Sequence, residues 1–334
     1  MNLQLTSLDA IQEVETEWLV KDLLPRGTIN IMAGDGGVGK GFAWCKLIAC
    51  ITSGSDDFLG FKINENYKNS NVVFFSSEDS VSHILKKRLR ENGADFSKIF
   101  TCDLSNPEFS KIKFDSTELR DLVRSYKPVL VVLDPIQSFF SNGANLTKRT
   151  EVREQLNCIL QLAEEVGTTF LLIMHTNKSQ NTFARSRLAD SADLWDIART
   201  VSIVGVTKEG SRYFSQEKNN YASLARTVLF RIDDGIVKFE KNTDLKDRDF
   251  VLRSTFSVQD KSPQRSAAES FVLEFLEDGE KHRVEDLQEQ SKECGITYNA
   301  LKNAKASLKK AKLIEIFSEG YGQFKKFYIK KCIY

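Results

Sequence analysis

TINIMAGDGGVGKG, residues 28–41, reads as a short apolar strand that runs straight into a glycine loop and a lysine. A loop of this composition between a strand and a helix is suited to holding phosphate. Glycines let consecutive backbone N–H groups curl around the anion, and the N-terminus of the following helix adds its dipole. Gly34, Asp35, Gly36, Gly37, Val38, Gly39, Lys40, Gly41 and Phe42 are therefore the expected nucleotide-binding segment, with Lys40 on the β- and γ-phosphates. A glycine-rich turn without a ligand is the plain alternative, and five glycines, one lysine and the right flanks speak against it. One position departs from the pattern. Ser or Thr, whose hydroxyl ligates Mg2+, normally follows the lysine, and this chain has Gly41 there. Mg2+ usually keeps several waters, so a further water held by an acid can replace the hydroxyl, at a cost on the order of 1–3 kcal/mol. Nucleotide binding is expected to survive, and hydrolysis to be slow or merely to demand more Mg2+.

Outward from this loop, strands and helices alternate. Strands are expected at 28–34, 71–78, 129–134, 168–175 and 199–206, and helices at 40–53, 80–92, 116–126 and 149–166. NVVFFSSE, VLVVLD and TTFLLIMH are almost continuously apolar, which suits central strands of a parallel sheet covered on both faces. The alternation implies a doubly wound, mainly parallel α/β fold. Strands at 213–219, 225–233 and 235–240 follow without helices, the last two joined at Asp234-Gly235, and are expected as an antiparallel extension at the sheet edge. VLVVLD delivers Asp134 to a C-terminal strand edge, where a carboxylate can hold Mg2+. The second strand ends in Glu78-Asp79, and Asp79 fits an acid answering a helix dipole. The fourth ends in His175, placed to sense a γ-phosphate or else simply a satisfied surface histidine.

Composition changes over NTDLKDRDFVLRSTFSVQDKSPQR (242–265), which is polar, charged and interrupted by proline. The expected division is a domain 1–245, a linker 246–265 and a module 266–334. In the module, SAAESFVLEFLED, VEDLQEQSKEC and TYNALKNAKASLKKA read as three helices, the third capped by Thr297. LIEIFSEGYGQFKKFYIKK reads as a hairpin turning at 319–322, and the whole predicts a winged helix. Residues 301–334 hold nine lysines against Glu315 and Glu319, a net +7, whereas 262–300 carry −5. Lys302, Lys305 and Lys309 recur at helical spacing, and Lys325 and Lys326 lie among Tyr321, Phe324 and Tyr328, a footprint for contact with a phosphate backbone. Base-edge readout has only Asn299, Asn303 and Gln323 to draw on, so mostly non-specific binding is expected. A solvated lysine face on a docking module is the alternative.

With 334 residues the chain suits one α/β domain plus a smaller partner. Net charge is +1, so affinity for nucleic acid has to be local. No run approaches the roughly 18 apolar residues of a membrane span, and MNLQLTSLDAIQEVE is too polar and acidic for a signal peptide. The six cysteines form no CxxC pair and the three histidines are scattered, which speaks against zinc and for buried thiols in a reducing cytoplasm.

EWLVKDLLPRGTINIMAGDGGVGK (17–40), SSEDS (76–80), LDPIQSFF (133–140), MHTNK (174–178) and DIAR (196–199) resemble, in order and spacing, the RecA-like ATPases of the plasmid RepA-type hexameric helicase family. The resemblance covers roughly residues 15–240. It implies a RecA-like fold, ATP and Mg2+ as ligands, and a hexameric homo-oligomeric ring with ATP sites between subunits. It makes Glu78 the general base that polarises the attacking water. Arg199 becomes an arginine reaching a neighbour's nucleotide, and Lys218 a second cation acting across the interface. Arg185 and Arg187 fall in a loop that faces a central DNA channel. Single-stranded DNA is the implied partner, with a replication initiator or primase beside it. The implied activity is a helicase or translocase in replication of a plasmid, phage or other mobile element. An ATP-gated DNA-binding regulator or loader is the first alternative, favoured by Gly41, and a recombinase-like filament former the second. The chain departs from the family in having RSRLADSADLW (185–195) in place of a Gly-Ser step after MHTNK.

Overall fold

The computed structural model describes residues 5–141, 143, 148–177, 184–188, 192–258, 263–320 and 325–332. The glycine loop hangs from β1 (Ile29–Gly34), inside a nine-stranded sheet. The other strands are β2 (Val72–Ser76), β3 (Ile99–Thr101), β4 (Leu130–Asp134), β5 (Thr169–His175), β6 (Thr200–Val206), β7 (Arg212–Asn219), β8 (Thr227–Asp233) and β9 (Ile236–Thr243). Six of them run parallel in the order β3-β2-β4-β5-β1-β6. β7, β8 and β9 continue beyond β6 as antiparallel neighbours. The result is the RecA-like doubly wound sheet with an antiparallel edge.

Alternate residues of each strand point to opposite faces, and here both faces are buried. Ile29, Ile31, Val73, Phe75, Val131 and Leu133 enter one core, closed by α3 (Thr117–Tyr126) and α4 (Arg149–Val166). Met32, Val72, Phe74, Leu130 and Val132 enter the other, closed by α1 (Lys40–Ser53), whose Trp44 packs on Phe74 at 5.5 Å. Double coverage is why these strands read as continuous apolar runs. The expected helix at 80–92 opens as a π turn over Val81–Leu85, capped by Ser80, before becoming α2 (Lys86–Glu91). β3 escaped the sequence reading because an edge strand of three residues leaves little pattern.

The chain divides into two compact units, Met1–Phe250 and Val251–Tyr334. The stretch 246–265, read as a linker, is instead helical over Asp247–Val258 (α6) and again from Pro263. Its polar composition hid two inward groups, a buried Asp247 and a Phe250 ring stacked 4.3 Å from Tyr213. Upstream of α6, α5 (Ala192–Ile197) closes the region before β6. The smaller unit holds α7 (Pro263–Phe275), β10 (His282–Arg283), α8 (Val284–Glu293), α9 (Tyr298–Lys310), β11 (Ile314–Glu319) and β12 (Lys326–Lys331). Its strands form an antiparallel sheet in the order β10-β12-β11, over a core that includes Val272, Leu287, Leu301, Leu308 and Ile329. Thr297 caps α9, accepting from the Ala300 N–H at 3.3 Å. Tyr321, Gln323 and Phe324 of the hairpin lie outside the described residues. The thiols are less hidden than expected: Cys45 and Cys50 are buried, Cys294 is exposed and the other three are half-buried. Among the described residues no helix is long and apolar enough to cross a membrane.

Candidate nucleotide site

Strand register brings the site together. Gly34 lies opposite His175 and Ser76 opposite Asp134, with the second pair two residues short of the first, so β1, β5, β4 and β2 all end along one edge. That edge, outside the carboxyl ends of the parallel strands, is where open α/β sheets bind ligands. Two glycines are required there. A Cβ on Gly34 would stand 2.3 Å from the Val204 carbonyl oxygen. Gly39, the residue before α1, has φ of 105°, which strains any side chain.

Lys40, the first residue of α1, is 7% exposed. Its Nζ donates to the carbonyls of Gly34 (2.8 Å) and Asp35 (2.9 Å) and lies 3.4 Å from His175 Nδ1. An ammonium has only hydrogens to give, so Nδ1 accepts and the imidazole proton sits on Nε2. Nε2 in turn donates to Glu78 Oε1 at 3.0 Å. Burial pulls the Lys40 pKa below the ordinary lysine value, with Asp134, Glu78 and Asp35 opposing. Asp134 is buried and its Oδ2 accepts from Trp44 Nε1 at 2.8 Å. Burial raises its pKa to about 6, against the pull of the Trp44 hydrogen bond and with some help from Glu78. These groups wall a cleft of about 260 Å³ together with Gly37, Gly39 and Phe42.

The acids suit Mg2+ by chemistry, since it favours oxygen ligands and relies on one or two carboxylates plus phosphate and water. Asp134 could hold it through the oxygen that Trp44 does not engage. Among the described residues no group of three or more metal-binding side chains forms a ready cage.

Asp79, immediately before the Ser80 cap, has a partner that the sequence did not announce. Its Oδ2 accepts from Arg88 Nη1 at 2.5 Å, and the Arg88 guanidinium lies 4.3 Å above the Phe42 ring. Both Asp79 and Arg88 line the cleft. Nothing in the spacing of 80–92 announced Arg88, because its phase is set by the π turn. Trp44 was equally hidden, an apolar position of a helix that also carries a donor.

Arg187 requires a correction. Expected in a DNA-facing loop, it is 6% exposed. Its Nη1 donates to Asp247 Oδ1 at 2.5 Å and its Nη2 to Asp35 Oδ2 at 2.8 Å. Burial opposes its charge, yet Asp247, Tyr213 and Asp35 carry its pKa above the ordinary arginine value. Asp35 also accepts from the Thr176 hydroxyl, and Asp247 from Tyr213 Oη at 2.8 Å. The cation thus ties the glycine loop to the start of α6. Arg185 is exposed and pairs with Asp196 at 3.0 Å.

Arg199 and Lys218 lie at the other end of the sheet. Thr200 pairs with Asn30, and Val201 with both Ile31 and Lys218, so at roughly 3.3 Å per residue Arg199 sits about 16 Å of strand from the Gly34 end and Lys218 about 10 Å. Lys218 Nζ donates to the carbonyls of Trp195 (2.7 Å) and Asp196 (3.2 Å), and burial lowers its pKa. The Arg199 guanidinium lies 6.0 Å from the Tyr221 ring centre, with Nε buried and without a hydrogen-bond partner among the described residues. In the smaller unit Lys302 and Lys309 are exposed on α9, Lys305 is half-buried with its pKa lowered by burial, and Lys325 and Lys326 are exposed.

A glycine loop ending a central parallel strand, with a lysine, a strand-end aspartate and a flanking glutamate on one edge, defines a RecA-like P-loop ATPase. The chain belongs to the AAA domain family, which it matches over residues 2–181. Among solved structures it is similar to a KaiC-like protein from the hyperthermophilic archaeon Pyrococcus horikoshii OT3, at 19% identity and a TM-score of 0.46, over 69% of this chain and 100% of that one. No curated protein matches it.

Proposed function

We propose that this P-loop ATPase is an ATP-dependent DNA helicase or translocase of the RepA-like ring type, serving replication of a plasmid, phage or other mobile element. The observation that carries the reading is the convergence of Lys40, His175, Glu78 and Asp134 on one cleft. In the proposed cycle the phosphates lie along 34–42 and Lys40 turns from its two carbonyls to the β- and γ-oxygens. Glu78, oriented by His175, accepts a proton from the attacking water. Mg2+ held at Asp134 would neutralise charge on the phosphate oxygens. Arg199 and Lys218, a strand-length from their own loop, act on a neighbour's nucleotide in a hexameric ring, and a replication initiator or primase loads that ring. The smaller unit works as a winged helix whose lysines grip the DNA backbone. A second reading, an ATP-gated DNA-binding regulator, is favoured by Gly41.

The test is Mg2+-dependent ATP hydrolysis with and without single-stranded DNA, beside Lys40→Ala and Glu78→Gln. The helicase reading expects turnover that DNA stimulates and that either substitution reduces by about a hundredfold or more. ATP binding without turnover would sink it and leave the regulator.

A further inference from the structure

Gly41 and Arg88 compete for one place. A Cβ built on Gly41 lies 2.8 Å from Arg88 Nη1. A hydroxyl-bearing side chain at 41 and the guanidinium in its present position therefore exclude each other. Three features hold Arg88 there. The π turn at Val81–Leu85 sets the phase of α2, Asp79 accepts one N–H, and the Phe42 ring supports the guanidinium from below. The side chain is 21% exposed and forms a wall of the same cleft as Lys40, Glu78 and Asp134. Of the five N–H donors of a guanidinium, Asp79 is the side-chain partner recorded for one among the described residues. The rest of the fork is available to a ligand.

We infer that Arg88 binds the nucleotide phosphates directly, from the place where a P-loop hydroxyl would otherwise hold Mg2+, and that nucleotide affinity at this site depends little on the divalent cation. The inference rests on the reading of 34–42 as a nucleotide loop. A hydroxyl at that position works through the metal, because it is neutral and donates an oxygen to the ion. A guanidinium works without it, because its charge is permanent and its planar fork matches phosphate oxygens. Asp79 holds one edge of the fork and leaves the other to the ligand. Lys40 and Arg88 then stand as two fixed cations beside the phosphates.

A fluorescent ATP analogue titrated into the full-length protein, once in Mg2+ and once in EDTA, tests this. Wild-type affinity is expected to differ by less than about threefold between the two media. Arg88→Met should weaken binding in EDTA by about tenfold or more, the worth of a charge-assisted hydrogen bond, and so bring in a dependence on Mg2+. Arg88→Lys, which keeps the charge beside Asp79, should recover part of the loss. Gly41→Ser combined with Arg88→Met should bind well in Mg2+ and poorly in EDTA. Wild-type affinity that collapses in EDTA would overturn the role of Arg88 whatever the variants do. So would an Arg88→Met protein that binds as wild type does in EDTA. Either result leaves the glycine loop in place. Lys40→Ala separates the two ideas: if it binds as tightly as wild type in both media, the loop reading itself fails.

Discussion

Asp134 is a carboxyl whose surroundings work against its charge. Its pKa in the folded protein is about 6, above the roughly 3.9 of an unfolded aspartate. Between those values the folded state holds a proton that the unfolded state has lost, so stability falls as pH rises from about 4 to about 6 and stays lowered above that. Asp134→Asn keeps an acceptor for Trp44 and removes the charge. It is expected to stabilise the protein by about 2–3 kcal/mol at pH 8 and to do little near pH 4, as urea unfolding at the two pH values would register. An equal effect at both would show that the carboxyl is not under strain. The same variant should lose Mg2+-dependent turnover. At this scale the sequence was most readable where a side chain ends a strand or a loop: Lys40, Glu78, Asp134 and His175 each follow a legible apolar run. Arg88, Trp44 and Asp247 were not readable, because each takes its meaning from a partner on a distant element. Gly41 looked like a missing ligand and turns out to be the room that Arg88 occupies.

On α9 the buried stripe is Leu301, Ala304 and Leu308, and the lysines follow one position behind it. Lys302 and Lys309 therefore project outward while Lys305 lies half-buried between them. If this face carries the DNA backbone, Lys302→Gln and Lys309→Gln should each flatten the slope of log K against log salt by about 0.7–0.9, and Lys305→Gln by less. Fluorescence anisotropy of labelled DNA across a salt series measures this, and unchanged slopes would assign the lysines to solvent. The regular elements were the legible ones, since period-2 and period-3.6 patterns and the Thr297 cap are local properties. The π turn and α6 were not. The first is a one-residue change of phase, and the second disguises two inward side chains within a charged sequence.

For the whole chain, the Asp35–Arg187–Asp247 cluster decides where the larger unit can be cut. A fragment ending at 245, the boundary that composition suggested, would bury Arg187 with one of its two carboxylates gone, a loss of about 3–5 kcal/mol. A fragment ending at 258 keeps the pair. Urea unfolding should show the shorter one much weaker, and Arg187→Met should recover part of the difference. The proposed ring makes a separate prediction. Lys40→Ala and Arg199→Ala proteins, each inactive alone, should regain turnover when mixed, because roughly one interface in four would join an intact loop to an intact arginine. A mixture as inactive as its parts would confine the chemistry to single subunits.

β1 also has a history within the life of each molecule. Its flanking strands in the sheet lie far ahead in the chain: Ile31 pairs with Leu172 on one side and Val201 on the other. At a synthesis rate of roughly 5–20 residues per second, β1 leaves the ribosome on the order of ten seconds or more before the first of those neighbours exists. Through that interval its backbone edges are unpaired and the phosphate loop has no frame. The newborn chain is thus blind to nucleotide until residue 206 has emerged, and a pause in translation shortly before that point would lengthen its exposure to chaperones and aggregation alike.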